Sequence, residues 1–138
     1  MLKIEKMKNV ILILFVFYIS NVFAQTAAQF VMNGVKKGKQ ENHREAIIDF
    51  SKAIKLNPNV EDYYFYRGDS KSELEDHRGA IVDFNKAIKL DAGFKRAYLY
   101  RGYAKCELGR RDQGCLDFSK AGELGSKTAY TAIRKLCN

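Results

Sequence analysis

The chain has 138 residues, of which 29% are charged, and a formal net charge of +8. Its basic residues are interspersed with acidic ones, except for a small group at Lys36, Lys37 and Lys39. Proteins that read nucleic acids normally carry clustered basic residues and a recognisable module. We therefore expect no nucleic-acid partner and a mildly basic, solvated surface.

The first 24 residues have the pattern of a secretory signal peptide. Residues 1–8 carry three lysines and one glutamate, an apolar run follows, and Val22 and Ala24 provide small side chains before Gln25. This pattern predicts cleavage after Ala24 and export to the periplasm, the wider cell envelope or the exterior. After cleavage no membrane span is expected. An uncleaved amino-terminal anchor remains the alternative.

The rest of the chain repeats itself at an offset of 34 residues. The segment EAIIDFSKAIKL at 45–56 returns as GAIVDFNKAIKL at 79–90, and YYFYRGDSKSEL at 63–74 returns as AYLYRGYAKCEL at 97–108. A more diverged third copy of the first segment covers 117–124. A period of this length predicts a solenoid of stacked units, none of which can bury its apolar face alone.

Each unit is predicted to contain two helices. Apolar residues recur at helical spacing through 44–56, and Pro58 disfavours continuation of that helix. Asn42 is predicted to cap it, and Asp76 to cap its copy. A second helix is expected over about 61–74. No segment alternates with a period of two, so the predicted fold class is all-α.

The repeated residues resemble the tetratricopeptide repeat. They comprise a small residue four positions before each phenylalanine, an alanine after it, and a glycine and an aromatic residue in each first helix: Ala46, Phe50, Ala53, Ala80, Phe84, Ala87, Gly114, Phe118, Ala121, Gly34, Gly68, Gly102, Phe30, Tyr64 and Tyr98. The resemblance departs from the family pattern where Asn33, Arg67 and Arg101 replace the usual leucine.

This resemblance implies a right-handed superhelical solenoid within residues 25–138. Three units are expected at about 27–60, 61–94 and 95–126, followed by a capping helix over about 127–137. The segment SKAGELGSKTAY, at residues 119–130, also resembles the related Sel1-like repeats.

The family's geometry further implies a concave groove that binds a peptide or helix of another protein. The residues implied to line it are Val31, Val35, Asp62, Phe65, Asp69, Arg96, Leu99 and Tyr103. Members that bind a partner's terminal carboxylate use lysine, asparagine and arginine on the first helices. Here the corresponding positions hold Val31, Val35, Tyr66 and Tyr100, with only Arg96 cationic, so carboxylate recognition is not expected. The alternative function is a structural module that self-associates into a homo-oligomer.

Three cysteines remain to be placed. Cys115 lies eleven residues before Ser126 and Cys137 eleven after it. Because the two flanking helices should run antiparallel, Cys115 and Cys137 are predicted to meet in a disulfide, with buried free thiols as the alternative. Cys106 is predicted to be an apolar filler or, alternatively, a reactive thiol.

No motif for chemistry is present in the sequence. His43 and His77 occupy equivalent places in two repeats, and the histidines and cysteines lack the close spacing of zinc ligands. Neither a phosphate-binding glycine loop nor a paired-carboxylate motif occurs. We therefore predict no metal, no cofactor and no enzymatic activity.

Overall fold

The computed structural model describes residues 2–137, apart from the side chains at 2, 3, 23 and 24. This part of the chain consists of helices and the turns between them, which confirms the predicted all-α class. The helices are α1 (Leu2–Lys39), α2 (His43–Leu56), α3 (Glu61–Glu73), α4 (His77–Leu90), α5 (Lys95–Glu107), α6 (Arg111–Glu123) and α7 (Lys127–Leu136).

The helices stack in chain order. The pairs α1 with α2, α3 with α4 and α5 with α6 form three units, each packed against the next, and α7 packs on α6. The first helices of successive units also touch, α1 against α3 and α3 against α5. The predicted solenoid with its capping helix is therefore confirmed, and α1, α3 and α5 form its inner, concave layer.

The amino-terminal half of α1 extends away from the stack. Its apolar side chains from Val10 to Tyr18 are each more than half exposed. The helix is long and apolar enough to cross a membrane, and a signal sequence near the amino terminus meets the same criterion. The side chain of Ala24, at the predicted cleavage point, lies outside the described residues. Burial in the stack begins at Ala27, which is fully buried.

The helix ends agree only partly with the predicted caps. The Asp76 side chain accepts a hydrogen bond from the Gly79 backbone N–H at 2.9 Å, as a cap does. The prediction for Asn42 is wrong, because its side chain makes no capping hydrogen bond. After α2, Asn57 adopts an extended conformation, as expected for the residue before Pro58.

Three phenylalanines hold the helix pairs together. Phe50, Phe84 and Phe118 are at most 2% exposed, one in each unit. Each ring packs over the glycine of its partner helix: a Cβ added at Gly102, for example, would lie 2.5 Å from Phe118 Cε1. Because that distance is shorter than a van der Waals contact, only glycine allows the two helices to approach this closely.

A row of ion pairs runs beside the phenylalanines. The Arg67 guanidinium donates two hydrogen bonds to Asp83, at 2.9 and 2.6 Å, and Lys71 Nζ lies 2.8 Å from the same carboxylate. Arg101 and Lys105 hold Asp117 in the same way. Asp83 and Asp117 are almost fully buried, so these cations supply the charge that their burial requires.

The same arginines also join neighbouring units. Arg67 Nη1 donates to Ser51 Oγ of the preceding unit at 3.2 Å, and Arg101 Nη1 donates to Asn85 Oδ1 at 2.6 Å. In the first unit Asn33 replaces the arginine, and the buried Asp49 is paired with Lys37 Nζ at 2.8 Å. At Arg67 and Arg101 the departure from the family leucine is therefore explained by a polar link between units.

The capping helix is attached covalently in the structure. The Sγ atoms of Cys115 and Cys137 lie 2.00 Å apart, as in a disulfide between α6 and the end of α7. Beneath this link, Leu99, Phe118 and Ala121 pack against Ala129 and Ala132 of α7. The cap thus covers the apolar side of the last unit, which would otherwise face water.

We expect Asp83→Ala to lower the free energy of unfolding by about 3 kcal/mol, because it leaves two partly buried cations without their carboxylate. Asp49→Ala is the matched control and should cost less, since the described partners of Asp49 are the lysines Lys37 and Lys52 rather than an arginine. Urea unfolding of the two variants measures the difference. Equal losses would show that the arginine pairing adds nothing.

We expect Cys115→Ser to lower the free energy of unfolding under oxidising conditions by about 3 kcal/mol, because the link closes a loop between the cap and the last unit. Reductant should reproduce this loss in the wild type and have no further effect on the variant. Cys106→Ser is the control and should leave the unfolding midpoint nearly unchanged. Mass spectrometry of non-reduced peptides that found both thiols free would contradict the prediction.

Candidate functional site

The concave layer contains two adjoining cavities between α1 and α3. One, of about 300 Å³, has walls from α1, α2 and α3, including Val35, Phe50 and Tyr66. The other, of about 500 Å³, lies alongside it and is lined by Val31, Val35 and Tyr66 among others. Val35 and Tyr66 belong to both, so the cavities form one continuous apolar surface, which we call the groove.

The groove is rimmed by charged side chains of both signs. Lys39 lines both cavities, and Lys36 lines the larger one. Asp69 and Glu73, from α3, face the smaller cavity together with His43 from α2. The floor is therefore apolar, with basic groups on the α1 side and acidic groups on the α3 side.

Asp69 is half-buried, and its environment disfavours ionisation. Burial is the largest cause that raises the pKa of Asp69, and the nearby charge of Glu73 raises it further. The positive charges of Arg96 and His43 act in the opposite direction. Burial, followed by the charge of Asp69, also raises the pKa of Tyr100, so this phenol is neutral at physiological pH.

Arg96 forms the opposite edge of the concave face. Its guanidinium lies 4.2 Å from the centre of the Phe65 ring and 5.7 Å from that of Tyr66, and its side chain is exposed. Stacking on aromatic rings fixes the cation in place without neutralising it. Arg96 therefore presents an exposed positive charge at this edge of the concave face.

The structure corrects two of the predicted groove residues. Phe65 is fully buried among Phe84, Phe94 and Tyr100 and beneath Arg96, so it belongs to the core. Leu99 is 7% exposed and packs towards Phe118 and the capping helix. Both side chains lie on the same helices as groove residues but point into the contacts between helices, and a bound partner would not reach them.

The other predicted groove residues remain accessible. Val31, Val35, Asp62 and Asp69 are half-buried, and Arg96 and Tyr103 are exposed. The cavities bring together Val31, Val35 and Asp69, whereas Asp62, Arg96 and Tyr103 lie outside their walls. Four further residues line the groove that the sequence did not predict: Lys39, His43, Tyr66 and Glu73. Of these, only Tyr66 had a signal in the sequence, because it occupies a position where some family members contact a ligand.

Cys106 is half-buried against the cluster beneath the cap. Burial raises the pKa of its thiol, which lowers the thiolate fraction and favours the filler interpretation. Within residues 2–137, no group of three histidine, cysteine, aspartate or glutamate side chains is placed to hold a metal ion.

Comparison with known proteins agrees with this architecture. The profile described as "Tetratricopeptide repeat" matches residues 37–60 and 61–94. The TPR domain of Arabidopsis OM64 is 30% identical, with a TM-score of 0.81, over 83% of this chain and 97% of that one. The chain belongs to the tetratricopeptide-repeat family.

Two further tetratricopeptide-repeat structures are similar. The first TPR domain of Spaghetti (RPAP3), bound to the HSP90 peptide SRMEEVD, is 26% identical with a TM-score of 0.79, over 83% of this chain and 92% of that one. The first TPR domain of human RPAP3 is 25% identical with a TM-score of 0.80, over 83% and 91%. No curated protein sequence matches the chain. The Sel1-like resemblance at the carboxyl-terminal end is not confirmed by these matches.

Proposed function

We propose that this tetratricopeptide-repeat protein binds a peptide segment of another protein in its groove, as an adaptor or assembly factor. The observation that carries the proposal is the continuous apolar surface of Val31, Val35 and Tyr66 on the concave layer, open to solvent and rimmed by charges. Apolar anchors in such a groove supply affinity, and the charged rim sets register. The similar Spaghetti domain, which holds a peptide, supports this function.

We also propose that the protein works outside the cytoplasm, in the periplasm, the wider cell envelope or the exterior. The support is the amino-terminal pattern of basic residues, exposed apolar helix and small residues before Gln25. A disulfide between Cys115 and Cys137 suits an oxidising compartment. The function that we assign is binding, without a catalytic step.

One observation favours self-association as a second candidate function. Ile48, Val82 and Leu116 occupy the same position in three successive units and are 53%, 64% and 71% exposed. A line of apolar side chains on the outer helices could pair two copies of the chain. Light scattering at micromolar concentration separates the two functions, because only self-association predicts a stable dimer.

We expect Val35→Glu to reduce cross-linked partners captured from intact cells by about tenfold, because it places a charge in the apolar floor that both cavities share. Val82→Glu is the matched control: it introduces the same charge on the outer face and should leave capture by the groove unchanged. Quantitative mass spectrometry of the captured proteins measures both. Full retention of every partner by Val35→Glu would contradict binding in the groove.

A further inference from the structure

Helix α3 separates its charges between two faces. Arg67 and Lys71 turn towards Asp83 of α4, whereas Asp69 and Glu73 face the smaller cavity. Asp62, seven residues before Asp69, follows the same side of the helix. The groove therefore presents the carboxylates of Asp69 and Glu73 on its α3 side, with Asp62 beyond the cavity walls, although the whole chain carries a net charge of +8.

These groove carboxylates differ from the aspartates of the core. Asp49, Asp83 and Asp117 each have a lysine or arginine in ion-pair contact. Among the described residues, Asp69 and Glu73 form no such pair. The basic side chains near them, Lys39 from α1, His43 from α2 and Arg96 from α5, are not in ion-pair contact with either carboxylate. The α3 side of the groove thus holds one half-buried carboxylate, Asp69, beside one exposed carboxylate, Glu73, and neither is held in an ion pair by the described residues.

Aromatic rings stand beside this charge. Tyr66 lines both cavities, and Tyr100 packs edge-to-face against Tyr103, with ring centres 6.5 Å apart. Aromatic faces attract cations and also cover the methylene stems of long basic side chains. The apolar floor, the Tyr66 ring that lines both cavities and the carboxylates at one side together suit a lysine or arginine side chain.

We propose that the groove selects a peptide segment whose lysine or arginine side chain enters beside Asp69 and Glu73. The inference rests on the proposed function and adds the chemistry of the partner. An acidic segment such as the HSP90 peptide SRMEEVD, to which the Spaghetti domain is bound, would be repelled by these carboxylates where it passes the α3 side. We therefore expect the α3 side of the groove to favour basic over acidic side chains, while Lys36 and Lys39 keep the α1 side positive.

The test uses the full-length gene product, carrying a carboxyl-terminal tag in mild detergent, and a phage-displayed library of random 12-residue peptides. Wild type is selected in parallel with an Asp69→Asn, Glu73→Gln variant and with Val35→Glu. An Asp112→Asn, Glu123→Gln variant is the control, because it removes the same charge from exposed positions of α6. Peptides enriched by the wild type are then synthesised with each basic residue replaced by glutamine.

We expect the wild type and the control to enrich peptides that contain lysine or arginine. One glutamine replacement should weaken binding about tenfold to the wild type and less than twofold to the Asp69→Asn, Glu73→Gln variant. If the wild type enriches neutral or acidic peptides that no longer bind the Val35→Glu variant, the preference for basic side chains is wrong. Peptide binding in the groove would still be supported by that result. Failure to enrich any peptide sensitive to Val35→Glu would overturn the proposed function itself.

A second measurement needs no ligand. Because the fold raises the pKa of Asp69, the ionised carboxylate destabilises the folded state, and stability increases as the pH falls through that pKa. Asp69→Asn should therefore melt above the wild type at neutral pH and lose this advantage in acid, where Asp69 is protonated in both the folded and the unfolded state. A lower melting temperature at neutral pH would show that Asp69 is neutralised within the fold and unavailable to a cation.

Discussion

The approach of each helix pair across a glycine and a phenylalanine is the contact on which the rest of the structure depends. At Gly34, Gly68 and Gly102 an added Cβ would lie 2.7, 2.9 and 2.5 Å from the partner ring. In each unit, the phenylalanine ring of one helix therefore fits against the other helix only because a glycine there has no side chain. With the pairs set at this distance, the first helices touch one another and the concave layer forms. The groove is a consequence of that packing.

The ion pairs fix the orientation of each unit relative to the next. Apolar contacts between similar units do not by themselves fix how one unit sits on the next, whereas a guanidinium needs its acceptors in defined places. Arg67 and Arg101 each connect the carboxylate of their own unit to a polar side chain of the unit before. Because Arg67 and Lys71 of α3 turn towards Asp83, the acidic side chains Asp69 and Glu73 define the charge on the α3 side of the groove.

Much of the fold follows from the sequence because its determinants recur at one offset. The glycines, the phenylalanines and the stop at Pro58 predict the helix pairs, and equal distances from Ser126 bring Cys115 and Cys137 together. The groove is less predictable, since neighbouring positions on one helix divide between core and surface. Phe65 and Leu99 are buried because the rings and the cap around them close over that side, and no single position reveals this. The ion pairing of Arg67 leaves a signal in the sequence, because an arginine, a lysine and an aspartate recur together 34 residues later.

The most direct test of this account compares two glycine-to-alanine variants by urea unfolding. Gly102→Ala places a methyl group against Phe118 and 3.0 Å from the Gly114 carbonyl oxygen, so we expect a loss of about 1–3 kcal/mol in the free energy of unfolding. Gly38→Ala adds the same group to a helix where nothing lies within 4 Å, and it should stabilise the protein by up to about 1 kcal/mol. A Gly102→Ala protein as stable as Gly38→Ala would contradict the claim that close helix approach organises the solenoid.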